Sequence, residues 1–163
     1  MKSLGDILAE NQIITGLRAV NRWEATDELL GRLVETGAIK SENLYAISGA
    51  VRKREQSMST GIGFGIGIPH ASTDLISEPV VALGRAKHGI AFDALDGQPV
   101  SLVVLFLVPQ GEFQKHLHTV AGIAKLLQKA DLRQSLEQAT TAEAMLQIIQ
   151  RQEAGGTFLT IHS

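Results

Sequence analysis

Nine consecutive residues, Val100-Ser101-Leu102-Val103-Val104-Leu105-Phe106-Leu107-Val108, constrain the fold of this chain more than any other segment. Successive side chains of an extended backbone point to opposite faces, and here both faces are apolar, with Ser101 the one interruption. A strand of that kind must be covered on both sides, so it belongs at the centre of a sheet with helices above and below. Pro109-Gln110-Gly111 ends it. The run is also far shorter than the roughly 20 residues needed to cross a bilayer as a helix.

The segments around it supply the covering layers. Asn21 is placed to cap a helix in which Trp23, Leu29, Leu30, Leu33 and Val34 recur at helical spacing, with Gly37 as the stop and Asp27, Glu28, Arg32 and Glu35 as a solvated face. Ser41 is placed to cap a second helix carrying Leu44, Ile47, Val51 and Arg54. Pro79–Leu83 reads as a strand and Gly89–Phe92 as a shorter one, and Asp96-Gly97 is a turn signal. Phe113, Leu117, Val120, Ile123, Ala124 and Leu127 form a helical stripe, followed by a shorter helix to Ala139 and a last one from Thr141 to Ile149. Residues 1–151 are expected to form one α/β domain, a mixed sheet flanked by helices, and residues 152–163 a flexible C-terminal tail.

Composition narrows the function. A chain of 163 residues is one domain and hides about 68–70% of its unfolded surface. Fifteen basic and seventeen acidic residues leave a formal charge of −2, which supplies no basic field for nucleic acid or a membrane surface. With no cysteine there is no disulfide framework, thiol nucleophile or thiolate metal site. The start of the sequence lacks a signal-peptide pattern, so the expected location is the cytoplasm, with no membrane insertion.

Chemistry concentrates between Ser57 and His70. Glycine stands at positions 61, 63, 65 and 67, so an extended segment would put Ile62, Phe64, Ile66 and Ile68 on one side and bare backbone on the other. A bare side admits another backbone or an anion. No Gly-Lys-Ser/Thr follows, so this is no Walker A loop, and Pro69-His70 stands where a dinucleotide fingerprint would open a helix. A neutral imidazole is a nucleophile at cellular pH, so His70 is either functional or a buried hydrogen-bonded histidine. His116 borders the apolar stripe at a helix start, where it is either a site residue or solvent-facing, and His118 points elsewhere. Residues two apart on a helix diverge by about 200°, which argues against a shared zinc ion. His88 and His162 read as surface residues.

At Arg54-Glu55, Ser59-Thr60-Gly61-Ile62-Gly63 and Gly67-Ile68-Pro69-His70, the sequence resembles the enzyme IIA domain of the fructose/mannitol class of the phosphoenolpyruvate:sugar phosphotransferase system, including its stand-alone nitrogen-related branch. The likeness continues through Phe92–Val100 and His116-Leu117, and covers roughly residues 4–150. It implies a phosphocarrier with the mixed-sheet fold. His70 would accept a phosphoryl group from an HPr-like phosphohistidine carrier and pass it to an enzyme IIB or hold it as a regulatory mark. His116 and Arg54 would stabilise that group, and no cofactor or metal is implied.

Phe64 and Leu75 are either an apolar rim around His70 or ordinary core residues. Gly67 stands where the family usually has alanine, which should loosen the loop; Ala71-Ser72-Thr73 replaces the glycine and basic residue many members carry, and Val120 replaces a leucine. The absence of a sugar signal favours the nitrogen-regulatory branch over a sugar-specific fructose/mannitol component. A non-phosphorylated binding or sensor protein of the same fold, and a nucleotide- or anion-binding domain using the glycine segment, are the readings from other classes.

Overall fold

The apolar run does sit at the centre. In the computed structural model, which describes residues 3–162 and side chains through Ala154, β6 (Val100–Pro109) is the hub of a six-stranded mixed sheet. The strands are β1 (Ile13–Ile14), β2 (Gly61–Gly63), β3 (Ile66–Gly67), β4 (His70–Thr73), β5 (Val80–Ile90) and β6. Their order is β1-β5-β6-β3-β2, with β4 also paired to β6. β5 is antiparallel to β6, whereas β3 and β4 run parallel to it one after the other.

Alternation along β6 divides the core in two. Leu102, Val104, Phe106 and Val108 pack with α1 (Leu4–Ile7), α4 (Leu117–Leu127), α5 (Ala130–Gln138) and α6 (Ala142–His162). Val103, Leu105 and Leu107 pack with α2 (Arg22–Glu35) and α3 (Leu44–Ser57). Each of these seven side chains is at most 1% exposed, and burying one is worth about 1.5–3 kcal/mol in transfer free energy. Two-sided burial is what the unbroken apolar pattern is for.

Asn21 caps α2 as expected, its side-chain oxygen accepting from the Glu24 amide, and Gly37 ends the segment at φ +79°. The charged side of α2 is more than a solvated face. The Glu28 carboxylate accepts from the Arg18 and Ala19 amides, and Arg32 donates to the Asn11 and Ile13 carbonyls. These bonds pin the N-terminal segment, including edge strand β1, which had no visible period because it is two residues long. A 3-10 turn over Ser41–Asn43 precedes α3, so Ser41 opens that turn and does not cap the helix. The two expected strands after Pro79 are one, β5, whose register breaks between Arg85 and Ile90 around Gly89 at φ +76°.

The glycine segment departs most from expectation. It folds back as a β2–β3 hairpin, turning at Phe64 (φ 60°) and Gly65 (φ 77°), and is not one extended strand. Positive φ at both central residues is the twist that joins antiparallel strands tightly. The bare backbone is occupied by protein, not by an anion. A Cβ on Gly61 would lie 2.8 Å from Ala94 Cα, and one on Gly67 would lie 2.7 Å from the buried Phe92 ring. Gly67 therefore makes room for Phe92, and does not loosen the loop. The backbone of α6 stays helical past Ile149 to His162, and the order of the expected tail from Gly155 onward lies outside the described side chains. No helix among the described residues is long and apolar enough to cross a membrane.

Candidate functional site around His70

The hairpin delivers the chain to β6 in a fixed register. The Ile68 amide donates to the Thr60 carbonyl, the Phe106 amide donates to the Pro69 carbonyl, and β4 then pairs His70 with Phe106. His70 is thus the first residue of a strand rather than part of a free loop. Because β4 pairs only with β6, its other edge is open, and α3 packs against that strand. An open cavity of about 540 Å³ lies there, lined by Ala50, Lys53, Arg54 and Ser57 of α3, His70, Ala71 and Ser72 of β4, and Phe113.

The His70 ring is held on both its edge and its face. Nδ1 is 2.8 Å from the Ile68 carbonyl oxygen, which accepts and cannot donate, so Nδ1 carries the hydrogen and Nε2 keeps its lone pair. Phe113 stacks on the ring with centroids 5.6 Å apart and planes within 17°. Burial pushes the imidazole pKa below the ordinary 6.5; the Ile68 hydrogen bond opposes this, the Arg54 charge adds to the lowering, and Glu55 works against it. The ring is therefore neutral near pH 7.

Arg54 comes from the last turn of α3. One guanidinium nitrogen donates to the Met58 carbonyl at 2.9 Å, and its other donors have no partner among the described residues. Its neighbour Glu55, part of the motif that carries the resemblance but given no role there, is a positioning residue. Glu55 is buried; its two oxygens accept from the Thr60 amide at 3.0 Å and the Thr60 hydroxyl at 2.6 Å, and Arg22 lies 3.6 Å away. That joint fixes the end of α3, hence Arg54, to the strand leading to His70. A carboxylate one residue beyond the arginine, on the face that carries Ile47 and Val51, was the available signal.

His116 lies outside the cavity lining but belongs to the same corner. It ends the 3-10 turn Gln114–His116 that follows Phe113, and its ring lies 6.4 Å from that of Phe106, the strand partner of His70. Its Nε2 is buried, 3.5 Å from Glu112 Oε1 without a hydrogen bond, and is the one buried side-chain polar atom among the described residues lacking a partner. The structure thus brings Arg54 and His70 into one cavity and sets His116 against Phe106, the strand partner of His70. Phe64 and Leu75 are exposed, but neither lines the cavity; Phe64 lies under Arg133, and Phe113 and Ala50 form the apolar rim instead. His88 is exposed, with Nε2 2.8 Å from the Ala19 carbonyl oxygen.

A central strand, a histidine positioned by a hairpin and an arginine lining the same cavity are the features to set beside known proteins, and the comparison gives the family. Residues 6–152 match the family model for the phosphoenolpyruvate-dependent sugar phosphotransferase system, EIIA 2, and the chain belongs to that family of phosphotransfer components. It is 43% identical over 108 residues to a nitrogen regulatory protein of Pseudomonas aeruginosa, covering 66% of each chain. It is 31% identical over 148 residues to the fructose-specific EIIABC component of Bacillus subtilis, a match of 91% of this chain but only 23% of that protein. Among solved structures, nitrogen regulatory protein IIA-Ntr of Neisseria meningitidis superposes with a TM-score of 0.80 at 28% identity, over 90% of this chain and 98% of that one.

Proposed function

We propose that this chain is a phosphocarrier in which His70 Nε2 accepts the phosphoryl group, with Arg54 and His116 stabilising it. The observation that carries this reading is a histidine whose Nδ1–H is tied to a carbonyl, leaving a neutral Nε2 beside an arginine with spare donors. In the reaction the Nε2 lone pair attacks phosphorus of a donor phosphohistidine. The new N–P bond forms as the donor's P–N bond breaks, and the donor imidazole leaves with that electron pair. The hydrogen on Nδ1 stays hydrogen-bonded to the Ile68 carbonyl, so the phosphorylated His70 ring is an imidazolium; the donor ring, protonated on its second nitrogen, leaves as neutral imidazole, and no proton moves between the rings. Both sides are phosphoramidates, so the protein's contribution is alignment and charge. The planar guanidinium of Arg54 suits two phosphoryl oxygens, and the unpartnered His116 Nε2 gains a partner when the group arrives.

The donor is an HPr-like carrier, and the acceptor is an enzyme IIB or a regulatory target in the cytoplasm. The nitrogen-regulatory branch is favoured by the 43% identity to a nitrogen regulatory protein and by the IIA-Ntr likeness. The test is incorporation of phosphate from phosphoenolpyruvate, enzyme I and the carrier. Wild type should gain an acid-labile, base-stable label that His70→Ala abolishes and His116→Ala lowers by about tenfold. No incorporation with either sugar-type or nitrogen-type carrier pairs would sink the proposal.

A further inference from the structure

We infer that Lys53, with Ser72 opposite it, completes the phosphoryl-binding set, so that the group carried by His70 is held by two cations from α3 and a hydroxyl from β4. This rests on the phosphocarrier reading above. Three observations carry it.

Lys53 and Arg54 are adjacent on α3, and both line the cavity that His70 lines. Residues 50, 53, 54 and 57 fall on one face of that helix, so Lys53 is placed there by helical geometry. Second, Ser72 follows His70 by two residues on β4, so its side chain projects to the same side of the strand, and it lines the same cavity. Third, neither the Lys53 ammonium nor the Ser72 hydroxyl has a hydrogen-bond or ion-pair partner among the described residues. The other cations of this region are engaged: Arg52 binds Asp27 at 2.6 Å, and Arg22 lies 3.6 Å from both Glu55 and Asp93.

An uncommitted ammonium and hydroxyl in the cavity lined by a nucleophilic imidazole suit a dianionic group attached to that ring. Arg54, already bonded to the Met58 carbonyl, offers a planar fork; Lys53, on a flexible stem, offers a point charge that follows the phosphoryl oxygens. Lys53 is exposed, so the gain is that of a partly solvated pair.

The deciding measurement is the equilibrium constant for phosphoryl exchange with the donor carrier. That constant depends only on the free energies of the separated proteins, so a residue that merely helps the carrier dock changes KM and leaves it untouched. Lys53→Gln should shift exchange toward the donor by about three- to fivefold, and Ser72→Ala by about twofold. Lys53→Arg should return it to near the wild-type value. Thermal unfolding of the unphosphorylated Lys53→Gln protein should match wild type. A labelled Lys53→Gln protein with an unchanged exchange constant overturns this inference alone. Absence of label in wild type overturns the phosphocarrier reading, and this one with it.

Discussion

Two arginines show how the same side chain is either used up by the fold or left with donors to spare. Arg85 on β5 is 3% exposed and faces no carboxylate among the described residues. Its Nε donates to the Thr15 carbonyl at 2.9 Å, and one terminal nitrogen donates to the carbonyls of Leu136 at 2.8 Å and Ala139. The last carbonyls of α5 carry the negative end of the helix dipole and lack helical partners of their own, so the cation and the helix end satisfy each other. Arg54 also sits by a helix end, α3, but makes one bond, to Met58, and turns the rest toward the cavity. What separates them is whether donors remain after folding. A saturated guanidinium holds the fold, and one with spare donors is available to an anion.

The comparison is sharpest when each arginine is removed. Arg85→Met should be the larger effect. It leaves several buried carbonyls without a donor, at about 1–3 kcal/mol each, so a total loss of about 3 kcal/mol and a fall in Tm of about 6–12 °C are expected. Urea and thermal unfolding measure this, and phosphate incorporation well below the new Tm should be unchanged. Arg54→Gln should behave in the opposite way. Stability should change by less than about 0.5 kcal/mol, while the rate of phosphoryl transfer falls by about ten- to a hundredfold. If Arg85→Met instead loses transfer at full stability, or Arg54→Gln unfolds the protein, the division between the two sites is wrong.

The same division explains what the sequence could and could not reveal. The β6 run, the stripe of α4 and the Asn21 cap were legible because each is a local pattern imposed by burial or by unpaired helix amides. That His70 and Arg54 meet was legible because the resemblance rests on two short contiguous stretches, and the structure brings both residues to one cavity. The hairpin was not. Alternating glycines satisfy an extended strand and a tight turn equally well, and what selects the turn is Phe92 and Ala94 occupying the space beside Gly67 and Gly61 from some 30 residues away. Arg85 was equally hidden. Its partners are backbone carbonyls about 50 and 70 residues distant, and backbone leaves no trace in side-chain pattern. Glu55 was half visible: its place beside Arg54 stood in the sequence, but its bond to Thr60 depends on how the end of α3 meets β2.

The smallest effect is also the most direct reading of the coupling between Arg54 and His70. Burial and Arg54 hold the folded-state pKa of His70 below 6.5, while the unfolded chain retains the ordinary value. Protons therefore bind the unfolded state more readily in this window. The stability contributed by the neutral ring is fully present above pH 6.5 and is lost as pH falls through 6.5 toward the lower folded value. Wild type should lose more stability between pH 7.5 and pH 5.5 than His70→Gln, as read by urea midpoints. The acid limb of phosphoryl acceptance should likewise lie below pH 6.5 in wild type. Arg54→Gln removes one of the two influences that lower the pKa, so its acid limb should move to higher pH, toward that of free imidazole. A limb that stays put in Arg54→Gln would mean that burial alone sets the His70 proton affinity, and that Arg54 meets the phosphoryl group without first tuning the nitrogen that takes it.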